Sequence, residues 1–309
     1  MIPFIGEIFA LLAAFCYALG SVAAAKNAGE NGGRGNAILL SVVLTAALSG
    51  GLWLLIGGAP AVERRDLWIG IAIFAAAGIL STVLGRLFFF RSIELAGAIE
   101  TGLIRRLIPV FAAALAILFL GETLTAATAL AFALVLSGVV LAVLPARRPI
   151  TAAAANPARA AGDRRVGRAL ATASAASYGG SYVVRKAAMQ WVPDPLLGTF
   201  VGAVTAFLWF ATAAPVSAAG RRRVAALLRR PSGWQLVAAA AISVGQTAQF
   251  LALSFTTVTV VAIIGTLEMF LAAWLAAWVL RTEARPGATF VFSSVLATAG
   301  VITLTLARA

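Results

Sequence analysis

The sequence contains no histidine, which removes the commonest general base and the commonest metal ligand together. A single cysteine, Cys16, excludes an internal disulfide framework, and its apolar surroundings make it a small buried hydrophobe. Acidic residues are scarce, 11 against 24 lysines and arginines, and they form no metal-binding cluster. No nucleophile stands at motif spacing from a base. These absences leave nothing for a lipid-modifying membrane enzyme to work with: the chain is expected to be no enzyme and to carry no cofactor or metal.

Charge itself is sparse. Only 11% of residues are charged while 61% are hydrophobic, and the mean hydropathy is +0.98. That balance is too apolar for a soluble chain. The net charge of +13 does not point to nucleic acid, because most arginines lie between apolar segments, as topology signals do. A bilayer core of roughly 30 Å needs about 20 apolar residues per helix. Ten such segments occur: 5–25, 36–57, 67–92, 97–120, 124–144, 167–188, 195–217, 233–255, 258–280 and 287–307. Alternating strand patterns are absent and lipid satisfies no backbone groups, so the fold class is all-α integral membrane with ten transmembrane helices. The opening MIPFIGE lacks a basic n-region, so the first segment is expected to stay as a helix.

The chain also repeats itself. At a shift of 161, Tyr17 falls on Tyr178 and Glu122 on Glu283; at 160, Gly85-Arg86 falls on Gly245-Gln246. This gives two five-helix repeats, 1–145 and 167–309, joined by an Ala/Arg/Pro-rich linker at 146–166. An odd helix number inverts the second copy in the membrane, an arrangement that transporters use for alternating access. Of the basic residues outside the deepest segments, 16 fall in one set of connections and 5 in the other. Arg185 and Lys186 are counted among the 5. Read literally, the tally puts both termini outside the cytoplasm.

The stretch from Ala96 to Leu144 carries a resemblance. Pro109 in the fourth segment, the GETLT turn at Gly121–Thr125, Gly138 in the fifth segment and the weaker echo RTEAR at Arg281–Arg285 resemble EamA-type repeats of the drug/metabolite transporter superfamily. The resemblance covers nearly the whole chain and implies a ten-helix transporter in the cytoplasmic membrane with both termini inside, against the loop tally. It is nearly silent on substrate. The second half departs from the pattern by placing Phe270 where the first has Pro109.

Four charges lie deep in apolar sequence: Arg86, Arg105, Arg106 and Glu268. On a helix, Gly102, Arg106, Pro109 and Ala113 share a face, with Arg105 beside it. Arg86 and Arg105 are about 12 Å from one membrane face and Glu268 about 15 Å from the other, so all meet near the midplane. A charge there costs about 3 kcal/mol on insertion scales and meets a partner, a substrate or water. One reading is a substrate site in which arginine takes a carboxylate or phosphate and Glu268 an ammonium group or a coupling proton. The other is a structural ion pair between Arg105 or Arg106 and Glu268. Arg86 can equally snorkel to the interface.

Gln246, Gln249, Tyr17, Tyr178, Ser181 and Tyr182 sit in segments that the resembled family uses for its central cavity, although such residues also bridge helices. Glu100 suits a helix-dipole role, and Glu122 and Glu283 suit helix starts. The arginines at 221–223 and 229–230 suit anionic lipid headgroups. The expected partners are therefore membrane lipid and a small-molecule substrate, with no nucleic acid. The reading is an exporter of a small anionic or zwitterionic metabolite such as an amino acid. Its alternatives are an exchanger of phosphorylated metabolites, a cation or multidrug exporter of the same fold, and a structural membrane subunit.

Overall fold

The computed structural model describes residues 4–31, 37–58, 62–143, 157–213, 231–282 and 285–307. These residues form helices and no strand. In chain order they are α1 (Ile5–Asn31), α2 (Ala37–Ile56), α3 (Arg64–Gly78), α4 (Gly85–Ala96), α5 (Ala98–Arg105), α6 (Ile108–Leu120), α7 (Ala126–Val143), α8 (Pro157–Trp191), α9 (Pro195–Ala213), α10 (Gly233–Phe255), α11 (Val258–Gly265), α12 (Glu268–Trp274) and α13 (Ala288–Leu306). A π-helical stretch, Ile79–Leu84, joins α3 to α4, and a second, Leu275–Val279, follows α12.

Nine helical stretches among the described residues are long and apolar enough to cross a membrane. They coincide with nine of the ten expected segments. The sixth segment is α8, whose 35 residues give length in excess but include Arg168, Arg185 and Lys186, and it does not reach the same apolarity. Most of the 146–166 linker, the arginines at 221–230 and Glu283 lie outside the described residues.

Contacts divide the chain into two units, and each draws on both halves of the sequence. The first contains Met1–Ile79, Val184–Thr257 and Leu267–Pro286. Within it α1 packs along α10 and α12, and α2 lies against α9 and α10. Glycine brings α3 onto α9: a Cβ at Gly78 would lie 2.6 Å from the Gly202 carbonyl oxygen. The helix ends are satisfied by side chains. Asp194 Oδ1 accepts from the Leu196 and Leu197 amides at 3.0 and 2.9 Å and caps α9, and its Oδ2 accepts from the Trp53 indole at 2.8 Å. Lys186 donates to the Leu253 and Thr256 carbonyls at 2.6 and 3.1 Å at the end of α10, where a cation meets the negative helix end.

The second unit contains Leu80–Val183, Val258–Thr266 and Gly287–Ala309. Its closest pairing is α7 against α13. A Cβ at Gly138 would come within 2.6 Å of Ser293 O, and one at Gly300 within 2.8 Å of Ala131 O. Small residues give such helices their contact where no hydrophobic drive separates protein from lipid. The GETLT turn begins with Gly121 in the left-handed region, at φ 66°. It then directs Glu122 to a helix the sequence reading did not foresee. The carboxylate accepts from the Val258 and Thr259 amides at 2.6 and 3.1 Å and from Thr259 Oγ1 at 2.7 Å, capping α11 rather than the α7 that follows it.

Candidate substrate site

The fourth and ninth spans are both broken near mid-length. In the fourth, α5 stops at Arg105 and α6 starts at Ile108; the join tightens into i to i−3 bonds, Arg106 N to Leu103 O at 3.1 Å and Leu107 N to Ile104 O at 3.0 Å. In the ninth, α11 stops at Gly265 and α12 starts at Glu268, with Thr266 N bonded to Ile263 O at 3.1 Å. The two breaks coincide at the repeat shift of 161, which sets Arg105 on Thr266 and Leu107 on Glu268. Only the first break has a proline behind it, Pro109, since Phe270 occupies the matching place. The break is thus a property of the repeat and not of the proline. Interrupted helices at corresponding places in two repeats are where transporters bind their substrates.

Arg105 occupies the first break. Its guanidinium carbon lies over the Phe89 ring, 4.2 Å from the centroid, and over the Tyr178 ring at 4.7 Å. Each such contact contributes about 0.5–2 kcal/mol. Neither supplies a hydrogen bond along the guanidinium edge, and Arg105 Nε is buried without a hydrogen-bond partner among the described residues. The same holds for Nη1 of Arg86. On α4, Arg86 stands three residues before Phe89, on the same face and one turn away. Gly85, its neighbour, abuts the Tyr178 ring: a Cβ there would lie 2.8 Å from Cε2. The second unit therefore gathers Phe89 and Tyr178 around Arg105, with Arg86 one turn from Phe89 on α4.

The first unit holds a buried arginine of its own. Arg185 is 4% exposed in the interior of α8. Its Nη1 donates to Gln249 Oε1 at 2.7 Å, the Tyr17 hydroxyl donates to the same oxygen at 3.4 Å, and the Phe250 ring lies 4.5 Å below the guanidinium. The sequence reading counted Arg185 and Lys186 as loop charges. Both belong to the helix, which runs on to Trp191.

Residues 4–144 match the model of the EamA-like transporter family. The match spans the first repeat and a little under half of the chain. No curated protein matches the chain. Among 29 solved chains that resemble it, one crystal structure aligns with 99% of this chain and 98% of its own at a TM-score of 0.70 and 17% identity, which shows a shared fold. Together with the match over the first repeat, the nine apolar spans among the described residues make this a multi-pass membrane protein.

The remaining candidates are placed as follows. Arg106, within the first break, is exposed, whereas Arg105 beside it is half-buried. Glu268 opens α12 in the first unit and is half-buried, as are Gln246 on α10 and Tyr182 on α8. Tyr17 and Tyr178 are half-buried in separate units, Tyr178 under the Arg105 guanidinium and Tyr17 donating to Gln249, the acceptor that Arg185 also uses. Glu100, in the first turn of α5, pairs with Arg168 and lies 4.0 Å from Arg164. That ion pair fits the helix-start role expected of it.

The residue that sequence reasoning missed is Arg185. The signal was present: the next helix breaker after it is Pro193, followed by the Asp194-Pro195 cap, so nothing ends the sixth helix before Trp191.

Proposed function

We propose that this protein is a secondary transporter that exports a small anionic or zwitterionic metabolite, such as an amino acid, across the cytoplasmic membrane by alternating access. The observation that carries this reading is Arg105, set in a helix break with its Nε buried and without a hydrogen-bond partner among the described residues. Burying a donor unmet costs about 1–3 kcal/mol, more when it is charged. A transported carboxylate would meet that cost, since its two oxygens match the fork of a guanidinium.

In this account Arg105 and Arg86 take the carboxylate, and Phe89 and Tyr178 hold the Arg105 guanidinium in place. Glu268, at the matching break of the other repeat, takes the coupling proton. Arg106 and Tyr182, in the same unit as Arg105, remain candidates for the rest of the substrate. Uptake into proteoliposomes holding the purified protein tests this directly, with amino acids set against sugar phosphates and organic cations, with and without a pH gradient. Saturable amino-acid flux that depends on the gradient is the expected result; flux of organic cations alone would remove the arginines from the site.

A second reading has one observation behind it. Two guanidiniums in one unit, Arg86 and Arg105, each keep a buried nitrogen unsatisfied, which also suits a doubly charged phosphate ester. Counterflow driven by internal phosphate separates the two.

A further inference from the structure

The two arginine centres are built alike. Gly85 on α4 abuts the ring of Tyr178, and Gly245 on α10 abuts that of Tyr17, where an added Cβ would lie 3.3 Å from Cδ1. The glycines correspond in the repeat, as do the tyrosines. In each centre the tyrosine comes from one repeat and the glycine from the other. Four residues beyond each glycine stands the residue that touches the arginine: Phe89, whose ring lies 4.2 Å from the Arg105 guanidinium, and Gln249, whose Oε1 is 2.7 Å from Arg185 Nη1.

The arginines themselves do not correspond. At the repeat shift Arg105 falls on Thr266 and Arg185 on Ala24. Duplication alone would give both centres their arginine from the same helix or leave one centre without it. Here a guanidinium meets the residue four beyond the glycine in both centres, and it comes from two different helices, α5 and α8. An arginine in a membrane helix is costly, so the second instance needs a reason that duplication does not supply.

Alternating access supplies one. In an inverted-repeat transporter the two repeats exchange conformations between the inward-facing and outward-facing states. A group bound at one centre in the first state meets the equivalent environment at the other centre in the second. We infer that Arg185 is a second substrate-binding residue, which holds the anionic group in the state opposite to the one in which Arg105 holds it. Gln249 is its positioning residue, fixing the guanidinium by the hydrogen bond to Nη1. This rests on the transport reading above and extends it from one site to two.

The test uses right-side-out and inside-out membrane vesicles containing the full-length protein. Radiolabelled L-threonine, L-glutamate and L-phenylalanine are each presented alone, and half-saturation is read at each face for wild type, Arg105→Gln and Arg185→Gln. Each variant is expected to raise half-saturation about tenfold or more at one face, the two at opposite faces, as loss of a charged hydrogen-bonding group implies. Gln249→Leu is expected to act at the same face as Arg185→Gln, with a smaller rise. If Arg185→Gln fails to fold, Arg185→Lys and Gln249→Leu are read in its place.

A raised half-saturation in Arg105→Gln with unchanged half-saturation at both faces in the Arg185 and Gln249 variants would overturn this inference and leave the proposed function standing. Wild-type vesicles that move none of the three amino acids would overturn both together.

Discussion

A guanidinium over two aromatic rings keeps its hydrogen-bonding edge available for something other than protein. Arg105 is held this way by Phe89 and Tyr178, and a lysine in its place would keep the charge but lose the planar fork. Arg105→Lys is accordingly expected to raise the half-saturation for a carboxylate substrate about tenfold, with the folded protein recovered at wild-type yield. An unchanged value would mean that charge alone suffices. Arg105 was legible in the sequence because a charge in the middle of an apolar run stands out. Its aromatic partners were only half legible: Tyr178 was marked by the repeat, while Phe89 sits in a run of phenylalanines at 88–90 that reads as lipid-facing. Arg185 was hidden by Lys186 beside it, since two adjacent cations near the end of an apolar run look like a loop. Their actual ties are to Gln249 and to the carbonyls closing α10, and sequence spacing does not display contacts to another helix.

Among the elements, the broken spans were the part that periodicity could not show, because both halves of each are apolar and the break removes no hydrophobic residue. Pro109 suggested a kink in the fourth span, but the ninth breaks at the matching place with Phe270 there. Pro109→Ala is therefore expected to leave transport within about twofold of wild type, because proline at a helix start only reinforces a turn already made. Loss of transport would assign the break to the proline. Glu122 was correctly expected at a helix start, although the helix it caps is α11, far along the chain. Glu122→Ala removes three hydrogen bonds to that helix and is expected to lower stability by about 1–3 kcal/mol, measured as a drop in melting temperature in detergent. Gly138→Leu should do greater harm, since its added side chain runs into the Ser293 carbonyl. A well-folded Gly138→Leu protein would contradict the α7–α13 packing.

For the molecule as a whole, hydropathy alone located the spans, because a bilayer imposes one length on every apolar helix. The contact units were not legible: each takes helices from both repeats, and the unit boundaries at 79 and 183 fall inside helices where composition does not change. The repeat register supplied what hydropathy could not, placing Glu268 at the second break to match Leu107 at the first. If Glu268 carries the coupling proton, Glu268→Gln abolishes the response of transport to a pH gradient while exchange of substrate for substrate continues. A gradient response that survives removes that role from Glu268. The most direct test of the central claim compares wild-type protein with Arg105→Gln in proteoliposomes, reading saturable amino-acid flux per folded protein. The account predicts saturable flux in the wild type and a flux about tenfold or more lower in the variant at substrate below the wild-type half-saturation, with the melting temperature in detergent unchanged; equal flux in the two would show that Arg105 is a structural cation and that the substrate binds elsewhere.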